Sequence, residues 1–192
     1  MPSIVPPVVP SGRLSAADQP TITTGGGLEL RPWTKRDAPL FYAARQDPGV
    51  RRWSMRGIDS VSEAEELIAS FGQGWKAERS AAWAIERDAQ LLGHVGLRTI
   101  SLEDGVAECA YWVLPAARGQ GVAPASLRAL SDWCFETAGL HRIELYHSTR
   151  NPASCQVAEK TGYALEGTLR EALRHEDGWH DMHLHALLGG QA

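Results

Sequence analysis

A glycine-bearing hexapeptide, Arg118–Ala123, combines residue types that suit the binding of a phosphate group. It follows a predicted strand, Val106–Leu114, rich in β-branched and aromatic residues, and it precedes apolar residues at helical spacing from Pro124 onward. The hexapeptide is therefore predicted to turn the chain from a strand into the N-terminus of a helix. Glycine allows the backbone to approach a ligand closely, and the N–H groups and dipole of a helix N-terminus favour an anion. The pattern predicts a phosphate or pyrophosphate site.

Two common phosphate-binding patterns do not fit this turn. A Walker loop requires Lys followed by Ser or Thr after its glycines, and no Lys follows Gly121. The dinucleotide fingerprint requires a third glycine or alanine at the position that Pro124 occupies here. Both nucleotide-binding classes are therefore disfavoured.

The turn instead resembles the Arg/Gln-x-x-Gly-x-Gly/Ala loop of the GNAT acetyltransferase superfamily, with Arg118, Gly121 and Ala123 at the defined positions. The segment Asn151–Tyr163 is similar to the second cofactor motif of that superfamily, Asn-x-x-Ser-x-x-Val-x-Glu-Lys-x-Gly-Tyr/Phe. Ala107–Val113 resembles a strand of the RimJ/RimL-like ribosomal-protein N-acetyltransferase branch. These motifs occur in the order and at the spacing of the superfamily.

The resemblance covers roughly Leu28–Leu188 and includes a first strand at Leu28–Trp33. It implies an α/β fold of the α+β type, in which a mixed, mainly antiparallel twisted sheet carries helices on both faces. It also implies that an acetyl group passes directly from acetyl-CoA to a primary amine, without a covalent enzyme intermediate. The acceptor could be a protein N-terminus or a small-molecule amine, and nothing in the sequence distinguishes them.

The resemblance places acetyl-CoA along the two motifs and the end of the preceding strand. Val113 and Leu114, where this strand is expected to splay from its neighbour, would offer backbone N–H groups to the thioester and the pantetheine arm. The glycine turn would hold the pyrophosphate, Asn151 and Ser154 would flank the pantetheine arm, and Lys160 would reach the CoA phosphates. The predicted cofactor-binding residues are Val113, Leu114, Arg118, Gly119, Gln120, Gly121, Val122, Ala123, Asn151, Ser154 and Lys160.

Acetyl transfer to an amine requires that the ammonium lose a proton and that the leaving thiolate gain one. Glu108, in the strand that leads into the turn, is the predicted general base, acting directly or through water. Its alternative role is that of a strand carboxylate facing solvent or paired with an Arg. Ser154 is the predicted acid or thiolate-binding hydroxyl, because Ala158 stands where many GNAT enzymes carry a Tyr and RimL-like enzymes commonly offer the serine. The alternative for Ser154 is a helix N-terminal serine without a chemical role.

Histidines near the C-terminus raise the question of a metal. His183 and His185 alternate along a predicted strand and share one face, whereas His180 is out of step with them. No Cys or second cluster is spaced along the chain to complete a tetrahedral zinc site, so the sequence predicts no metal. Cys155 is not expected to be a nucleophile, and the three cysteines are predicted to be reduced thiols.

Composition limits the remaining possibilities. The 192 residues suffice for one domain with a full core, and a formal net charge of -4 argues against nonspecific nucleic-acid binding. No stretch approaches the roughly 20 apolar residues of a membrane span, and a cytoplasmic location is expected. Residues 1–27 are punctuated by prolines and end at Gly25–Gly27, which predicts a flexible N-terminal arm preceding an acetyltransferase domain at 28–192.

The remaining elements follow from periodicity and from capping residues. Thr34 with Asp37 predicts a helix start, and Ser60 or Ser62 predicts the start of a helix that runs towards Lys76. The other predicted elements are a hairpin of Ala82–Glu86 with Leu91–Arg98, helices Pro124 to about Thr137 and Pro152–Thr161, and strands Arg142–His147, Tyr163–Leu169 and His180–Leu188. Trp33, Trp83, Trp112 and Trp133 are predicted core residues. Trp53, Trp75 and Trp179 lie where the resembling RimJ/RimL-like branch shapes its acceptor pocket, and core burial is the default expectation for each.

Two other functions and one assembly state stay open at this point. A succinyl- or other acyl-CoA transferase would need a cation near the acyl end, which Arg51, Arg52, Arg98 or His94 could supply. A non-catalytic CoA-binding or sensing module would keep the cofactor motifs without a usable base. A homodimer is frequent in the resembling branch, although no motif in the sequence indicates one.

Overall fold

Eight strands form one mixed sheet in the computed structural model, which describes residues 5–54 and 56–190. The strands are β1 Ile22–Thr23, β2 Glu29–Pro32, β3 Ala81–Arg87, β4 Gln90–Ser101, β5 Val106–Val113, β6 Arg142–Ser148, β7 Ala164–His175 and β8 Gly178–Leu188. The helices are α1 Ala38–Gln46, α2 Pro48–Arg51, α3 Val61–Lys76, α4 Val122–Trp133 and α5 Pro152–Lys160. The strand order is β1-β2-β3-β4-β5-β6-β8-β7, and β5 with β6 is the parallel pair among antiparallel neighbours. The predicted fold class is confirmed.

Helices cover both faces of the sheet. On one face, Leu127 and Leu130 of α4 and Ala158 of α5 pack among the buried side chains of the strands. On the other face, Phe41 of α1 and Ile68 of α3 pack in a second buried cluster. The helical spacing that predicts α4 therefore reflects the burial of one side of that helix against the sheet.

The observed caps explain where the helices begin and end. The Ser60 hydroxyl accepts a hydrogen bond from the Glu63 N–H at 3.1 Å, which fixes the start of α3. The Asp37 carboxylate accepts from the Thr34 N–H at 2.8 Å and precedes α1. After α4, a π-helical turn ends at Gly139, whose φ of 79° suits glycine. β7 and β8 are longer than predicted because the polar residues before and after their turn continue the ladder.

The N-terminal segment, defined as residues 5–27, is fixed to the rest of the fold. Val9 and Leu14 are 2% and 5% exposed and belong to the core beneath α4. The Val9 N–H donates to the Leu102 carbonyl at 3.0 Å, and β1 pairs with β2 at the edge of the sheet. The composition predicts a flexible arm over residues 1–27. The described part of this arm nevertheless contacts the rest of the fold, because its few apolar side chains are buried and its backbone is hydrogen-bonded to neighbouring segments. Residues 1–4 of that arm lie outside the described residues.

Trp75 helps to anchor this segment. Its indole N–H donates to the Ala17 carbonyl at 2.9 Å, and its ring is 6% exposed beside Trp83. Trp75 is therefore a core residue, as the default expectation from the sequence has it, because the end of α3 turns this ring into the core.

The Glu78 carboxylate binds the N-terminal segment through several hydrogen bonds. Its carboxylate accepts hydrogen bonds from the backbone N–H groups of Gly12, Leu14 and Ser15 at 2.6, 2.6 and 3.0 Å. Burial raises the pKa of Glu78, but the three backbone donors outweigh burial and lower its pKa below the ordinary 4.5. The ionised carboxylate therefore stabilises the attached segment.

Replacing Glu78 by Gln is expected to lower the free energy of unfolding by about 1–3 kcal/mol, the usual effect of weakening hydrogen bonds to a charged group. Since the pKa is lower in the folded state, the stabilisation is present above the unfolded pKa and is lost as the pH falls through the folded one. Urea unfolding at pH 7 should show the full difference between wild type and Glu78→Gln, and the difference should shrink below about pH 4.5. Glu136→Gln, at an exposed position, is the matched control. Equal unfolding midpoints for wild type and Glu78→Gln at pH 7 would contradict the assignment.

Among the described residues, no helix combines the length and apolar character that crossing a membrane requires.

Candidate active site

A cleft opens between β5 and β6 because their pairing stops before either strand ends. The last paired residues are Cys109 and Leu145, although β5 continues to Val113 and β6 to Ser148. Beyond that point β6 stays paired with β8 and β5 stays paired with β4, so the two halves of the sheet diverge. The sequence places this divergence at Val113 and Leu114, whereas the structure begins it four residues earlier.

The backbone N–H groups along the end of β5 alternate in direction. The Leu114 N–H donates to the Leu92 carbonyl of β4 at 2.8 Å. Because hydrogen-bonded and non-hydrogen-bonded pairs alternate in an antiparallel ladder, the N–H groups of Tyr111 and Val113 point away from β4 and into the cleft. Of the two predicted thioester donors, Val113 is therefore oriented towards the cleft and Leu114 is not.

The glycine turn follows directly from this strand end. Gly119 and Gly121 have φ values of 74° and 73°, and Gly121 is the N-cap residue of α4. A Cβ added at either glycine would meet no atom of the described residues within 4 Å, so the surface of the turn is open. The free N–H groups at the start of α4 come from Val122 and Ala123, since Pro124 lacks one. This arrangement suits an anion, as the sequence predicts.

Arg118 and Gln120 shape the turn from inside. The Arg118 Nε donates to the Val113 carbonyl at 3.1 Å, and its guanidinium forms an ion pair of 3.2 Å with Asp47. The guanidinium lies against Gly49, where an added Cβ would come within 2.8 Å of it. The Gln120 amide donates to the Ala116 carbonyl at 2.7 Å. Arg118, one of the predicted cofactor-binding residues, thus already shares its charge with Asp47.

Tyr111 and Ser154 meet across the cleft. Their hydroxyl oxygens are 2.9 Å apart, which joins the end of β5 to the first turn of α5. Asn151, the N-cap residue of α5, accepts from the Ser154 N–H at 3.3 Å and so fixes the serine. Burial raises the pKa of Tyr111, and its hydroxyl is therefore protonated at neutral pH. Tyr111 belongs to none of the predicted site residues, although the alternation along β5 places it on the same face as Cys109.

Glu108 lies on the opposite face of β5 from Tyr111. Its half-buried carboxylate is 3.2 Å from the Arg98 guanidinium, and it stands opposite Glu144 of β6 in the ladder. Glu144 in turn accepts from the Tyr146 hydroxyl at 2.9 Å. This ion pair is the alternative role expected for Glu108, that of a strand carboxylate paired with an Arg. Glu108 also directly precedes Cys109, the last residue of β5 that pairs with β6, so it lies near the edge of the cleft. Glu108 and Ser154 therefore approach the cleft from different faces.

Lys160 lies at the C-terminal end of α5. Its exposed side chain is in the last turn of α5, and its carbonyl accepts from Arg128 at 2.8 Å. Arg128 is in the second turn of α4, so this end of α5 borders α4 behind the glycine turn.

His94 is a half-buried neutral group on the Glu108 face of the sheet. Burial lowers its pKa to about 3, the Trp33 indole N–H donates to its Nδ1 at 3.1 Å, and its ring stacks on Trp112 at 5.7 Å. It cannot supply the cation that a succinyl donor would need. Arg98 is already paired with Glu108, which leaves the exposed Arg51 and the Arg52 guanidinium as candidates.

Known proteins resemble this chain in sequence. The family model for the acetyltransferase (GNAT) domain matches residues 27–164. The ribosomal-protein-serine acetyltransferase of Escherichia coli (strain K12) is 31% identical over 170 residues, which cover 86% of this chain and 95% of that protein. An uncharacterized N-acetyltransferase of Bacillus subtilis (strain 168), YoaA, is 26% identical over 164 residues, covering 84% and 93%.

Solved structures resemble the whole fold. RimL, a ribosomal L7/L12 alpha-N-protein acetyltransferase in complex with coenzyme A, superposes with a TM-score of 0.85 at 19% identity, covering 90% of this chain and 100% of that one. RimJ of Mycobacterium smegmatis, in complex with CoA-disulfide, gives 0.81 at 26% identity and covers 88% and 86%.

Proposed function

This chain belongs to the GNAT acetyltransferase family, and from that premise we propose that it moves the acetyl group of acetyl-CoA directly to a primary amine in the cleft between β5 and β6. The observation that carries the proposal is the convergence of an open glycine turn, an inward-pointing Val113 N–H and the Tyr111–Ser154 hydroxyl pair on one cleft. An acyl-CoA needs these three features in this order, for its pyrophosphate, its thioester and its sulfur.

The cofactor end of the cleft binds by backbone groups. The turn from Gly119 to Ala123 holds the pyrophosphate with N–H groups and the α4 dipole. The Val113 N–H donates to the thioester carbonyl oxygen and stabilises the negative charge that develops there during attack. Asn151 acts through Ser154, which it holds at the start of α5.

Proton transfers follow from the side chains on the two faces. Glu108 removes a proton from the acceptor ammonium, directly or through water, so that the nitrogen can bond to the acetyl carbon as the carbon–sulfur bond breaks. The Ser154 hydroxyl donates to the departing sulfur, and the Tyr111 hydroxyl supports Ser154 in that role. Of the three ammonium protons, the amide keeps one, Glu108 takes one and passes it to solvent, and the third replaces the proton that Ser154 gives to the sulfur. The products are therefore the amide, free CoA and one proton.

Removing the Ser154 hydroxyl tests the thiolate-side assignment. Ser154→Ala is expected to lower kcat by about 10–100-fold, the loss of one hydrogen bond to a developing charge, with little change in acceptor KM. Tyr111→Phe should give a smaller loss of the same kind, because it keeps the serine. Steady-state assays with acetyl-CoA measure both variants, and Thr149→Ala, at an exposed position in the loop that precedes α5, is the control. Wild-type kcat in Ser154→Ala would exclude the role.

We propose a protein N-terminus as the acceptor class, because the curated relative that matches at 31% identity is a ribosomal-protein-serine acetyltransferase. Among structural neighbours of lower identity are a spermidine N-acetyltransferase and a microcin C7 self-immunity acetyltransferase, so the fold alone does not select the acceptor. The acceptors to compare are peptides with a free N-terminus, peptides with a blocked N-terminus, and spermidine. Each acceptor is tested with acetyl-CoA and with succinyl-CoA as the donor, and mass spectrometry detects the acylated product. Acylation of the free N-terminus from acetyl-CoA supports the proposal, and modification of polyamines alone would overturn this acceptor class.

We propose that the protein forms a homodimer. The edge strand β7 exposes Leu165 and Leu169, and β8 exposes Trp179, at 53%, 45% and 55%. These apolar side chains at the end of the sheet favour a homodimer through that edge.

A further inference from the structure

Four potential metal ligands converge beneath α5, on the α4 side of the sheet. We define the His–Cys cluster as His147 of β6, His183 and His185 of β8, and Cys155 of α5; one ligand atom from each lies within 4.8 Å of all the others. His147 and His183 are direct partners in the β6–β8 ladder, and His183 and His185 share a face at a spacing of two. The spacing along the sequence predicts no Cys that could complete a metal site. In the fold, however, α5 folds back and places Cys155 over the three rings.

Backbone contacts determine the tautomers of two of the rings. The His147 Nδ1 is 2.9 Å from the Ser148 carbonyl, and the His185 Nδ1 is 3.2 Å from the Tyr163 carbonyl. A carbonyl oxygen only accepts, so both Nδ1 atoms carry the hydrogen and both Nε2 atoms keep a lone pair. Histidines that bind metals typically donate their other ring nitrogen to a backbone carbonyl or carboxylate in this way.

Two ring nitrogens of the cluster lack a hydrogen-bond partner among the described residues, whereas the Cys155 thiol contacts the His185 Nε2 and donates to Glu159 at 3.7 Å. The His147 Nε2 and the His183 Nδ1 are buried without a hydrogen-bond partner among the described residues. The His185 Nε2 is 3.9 Å from the Cys155 Sγ. Buried polar atoms without partners are rare in native proteins because burial removes their hydrogen bonds to water, and two of them in one cluster indicate a missing ligand.

Packing alone does not explain the cluster. The positions before and after it on the same faces, Leu145 and Leu187, are apolar core residues. Three imidazole rings with centroid separations of 5.0, 5.3 and 5.9 Å occupy the place where further aliphatic residues would fit. A bound cation gives these nitrogen lone pairs a common partner.

We propose that the His–Cys cluster is a structural zinc site, in which the Cys155 thiolate and one ring nitrogen from each of His147, His183 and His185 bind one Zn²⁺. Zinc favours tetrahedral nitrogen and sulfur ligands at about 2.0–2.1 and 2.3 Å, so ligand atoms within 4.8 Å need to close by roughly 1 Å. Binding replaces the thiol proton by a Zn–S bond and releases that proton to solvent. Four protein ligands leave no open position for catalysis.

Its position gives the proposed site a consequence for the cleft. Cys155 directly follows Ser154, and His147 lies in the part of β6 that borders the cleft. A metal held there ties the first turn of α5 to β6 and β8, and so fixes the wall that carries the Tyr111–Ser154 contact.

Metal binding can be tested without any assay of activity. Full-length protein dialysed against a chelator is titrated with Zn²⁺ by calorimetry and with Co²⁺ by absorption spectroscopy. We expect one equivalent of Zn²⁺, and a tetrahedral Co²⁺ spectrum with a thiolate-to-metal charge-transfer band. Zn²⁺ should also protect Cys155 from thiol reagents.

Variants decide whether the cluster is responsible. Cys155→Ser should lose the thiolate band, and Cys155→Ser and His185→Gln should each weaken Zn²⁺ binding at least about 100-fold, whereas His141→Gln, an exposed histidine outside the cluster, should match wild type. His183→Gln, at a less buried position, keeps the test valid if His185→Gln does not fold, as circular dichroism would reveal. Failure of wild type to bind Zn²⁺ at micromolar concentration would overturn the proposal. So would Zn²⁺ binding unchanged in Cys155→Ser, or a Co²⁺ spectrum without a thiolate band.

Discussion

Glu108→Gln is expected to reduce kcat by about 10²–10⁴-fold while leaving the affinity for acetyl-CoA nearly unchanged, because the amide keeps the shape of the side chain but cannot take a proton. The acidic limb of the pH–rate profile should also flatten, since that limb reports the protonation of the base. Steady-state kinetics across pH and calorimetric titration with acetyl-CoA separate the two quantities. The ion pair of Glu108 with Arg98 is partly exposed to solvent. Losing this ion pair in Glu108→Gln is therefore not expected to unfold the protein.

Glu144→Gln is the matched control for this prediction. Glu144 stands opposite Glu108 on β6, faces the same side of the sheet and accepts from Tyr146 and Arg142. It should retain kcat within a few-fold of wild type. Wild-type turnover in Glu108→Gln at every pH would leave Glu108 a structural partner of Arg98, and loss of turnover in Glu144→Gln alone would move the base to the other strand. An acceptor that arrives already deprotonated would depend on positioning rather than on either carboxylate.

Gly121→Val should weaken CoA binding at least about 100-fold, equivalent to about 2.7 kcal/mol. A β-branched residue is a steric outlier at a φ of 73°, so the turn has to rearrange at the N-cap of α4. The new side chain would also project into the open space where the pyrophosphate is proposed to lie. Calorimetric titration with CoA measures the effect directly.

Gly178→Val separates backbone strain from loss of the ligand. Gly178 also has a positive φ, of 116°, and its added Cβ would meet no atom of the described residues within 4 Å, but it lies in the β7–β8 turn. This variant should lose stability in thermal unfolding and keep its CoA affinity. CoA affinity preserved in Gly121→Val would remove the glycine turn from the proposed site.

Local signals in the sequence predicted most of the fold. Ser60 and Gly139 mark helix ends through hydrogen bonds or a backbone conformation that depend on a few neighbouring residues. The hairpin of β3 with β4 and the two motif helices follow from short-range periodicity in the same way. Strand ends were less predictable, as β7 shows, because a ladder continues wherever its partner offers hydrogen bonds.

Contacts between distant residues account for what the sequence did not reveal. Tyr111 reaches Ser154 across 43 residues, and Cys155 reaches His185 across 30, so neither pair has a signature in local spacing. The orientation of the Leu114 N–H depended on its partner strand. His94 is a candidate cation in the sequence, but in the fold its ring packs against Trp33 and Trp112.

The attachment of the N-terminal segment has a consequence for the order in which the chain can fold. Gly12 binds a carboxylate 66 residues later, and Arg13 donates to the Thr137 carbonyl 124 residues later. During synthesis Gly12 and Arg13 are made well before these partners, so their contacts form only after the partners have emerged. Contacts across such separations form late because loop closure is entropically costly. The N-terminal segment is therefore among the last parts of the fold to reach its final position.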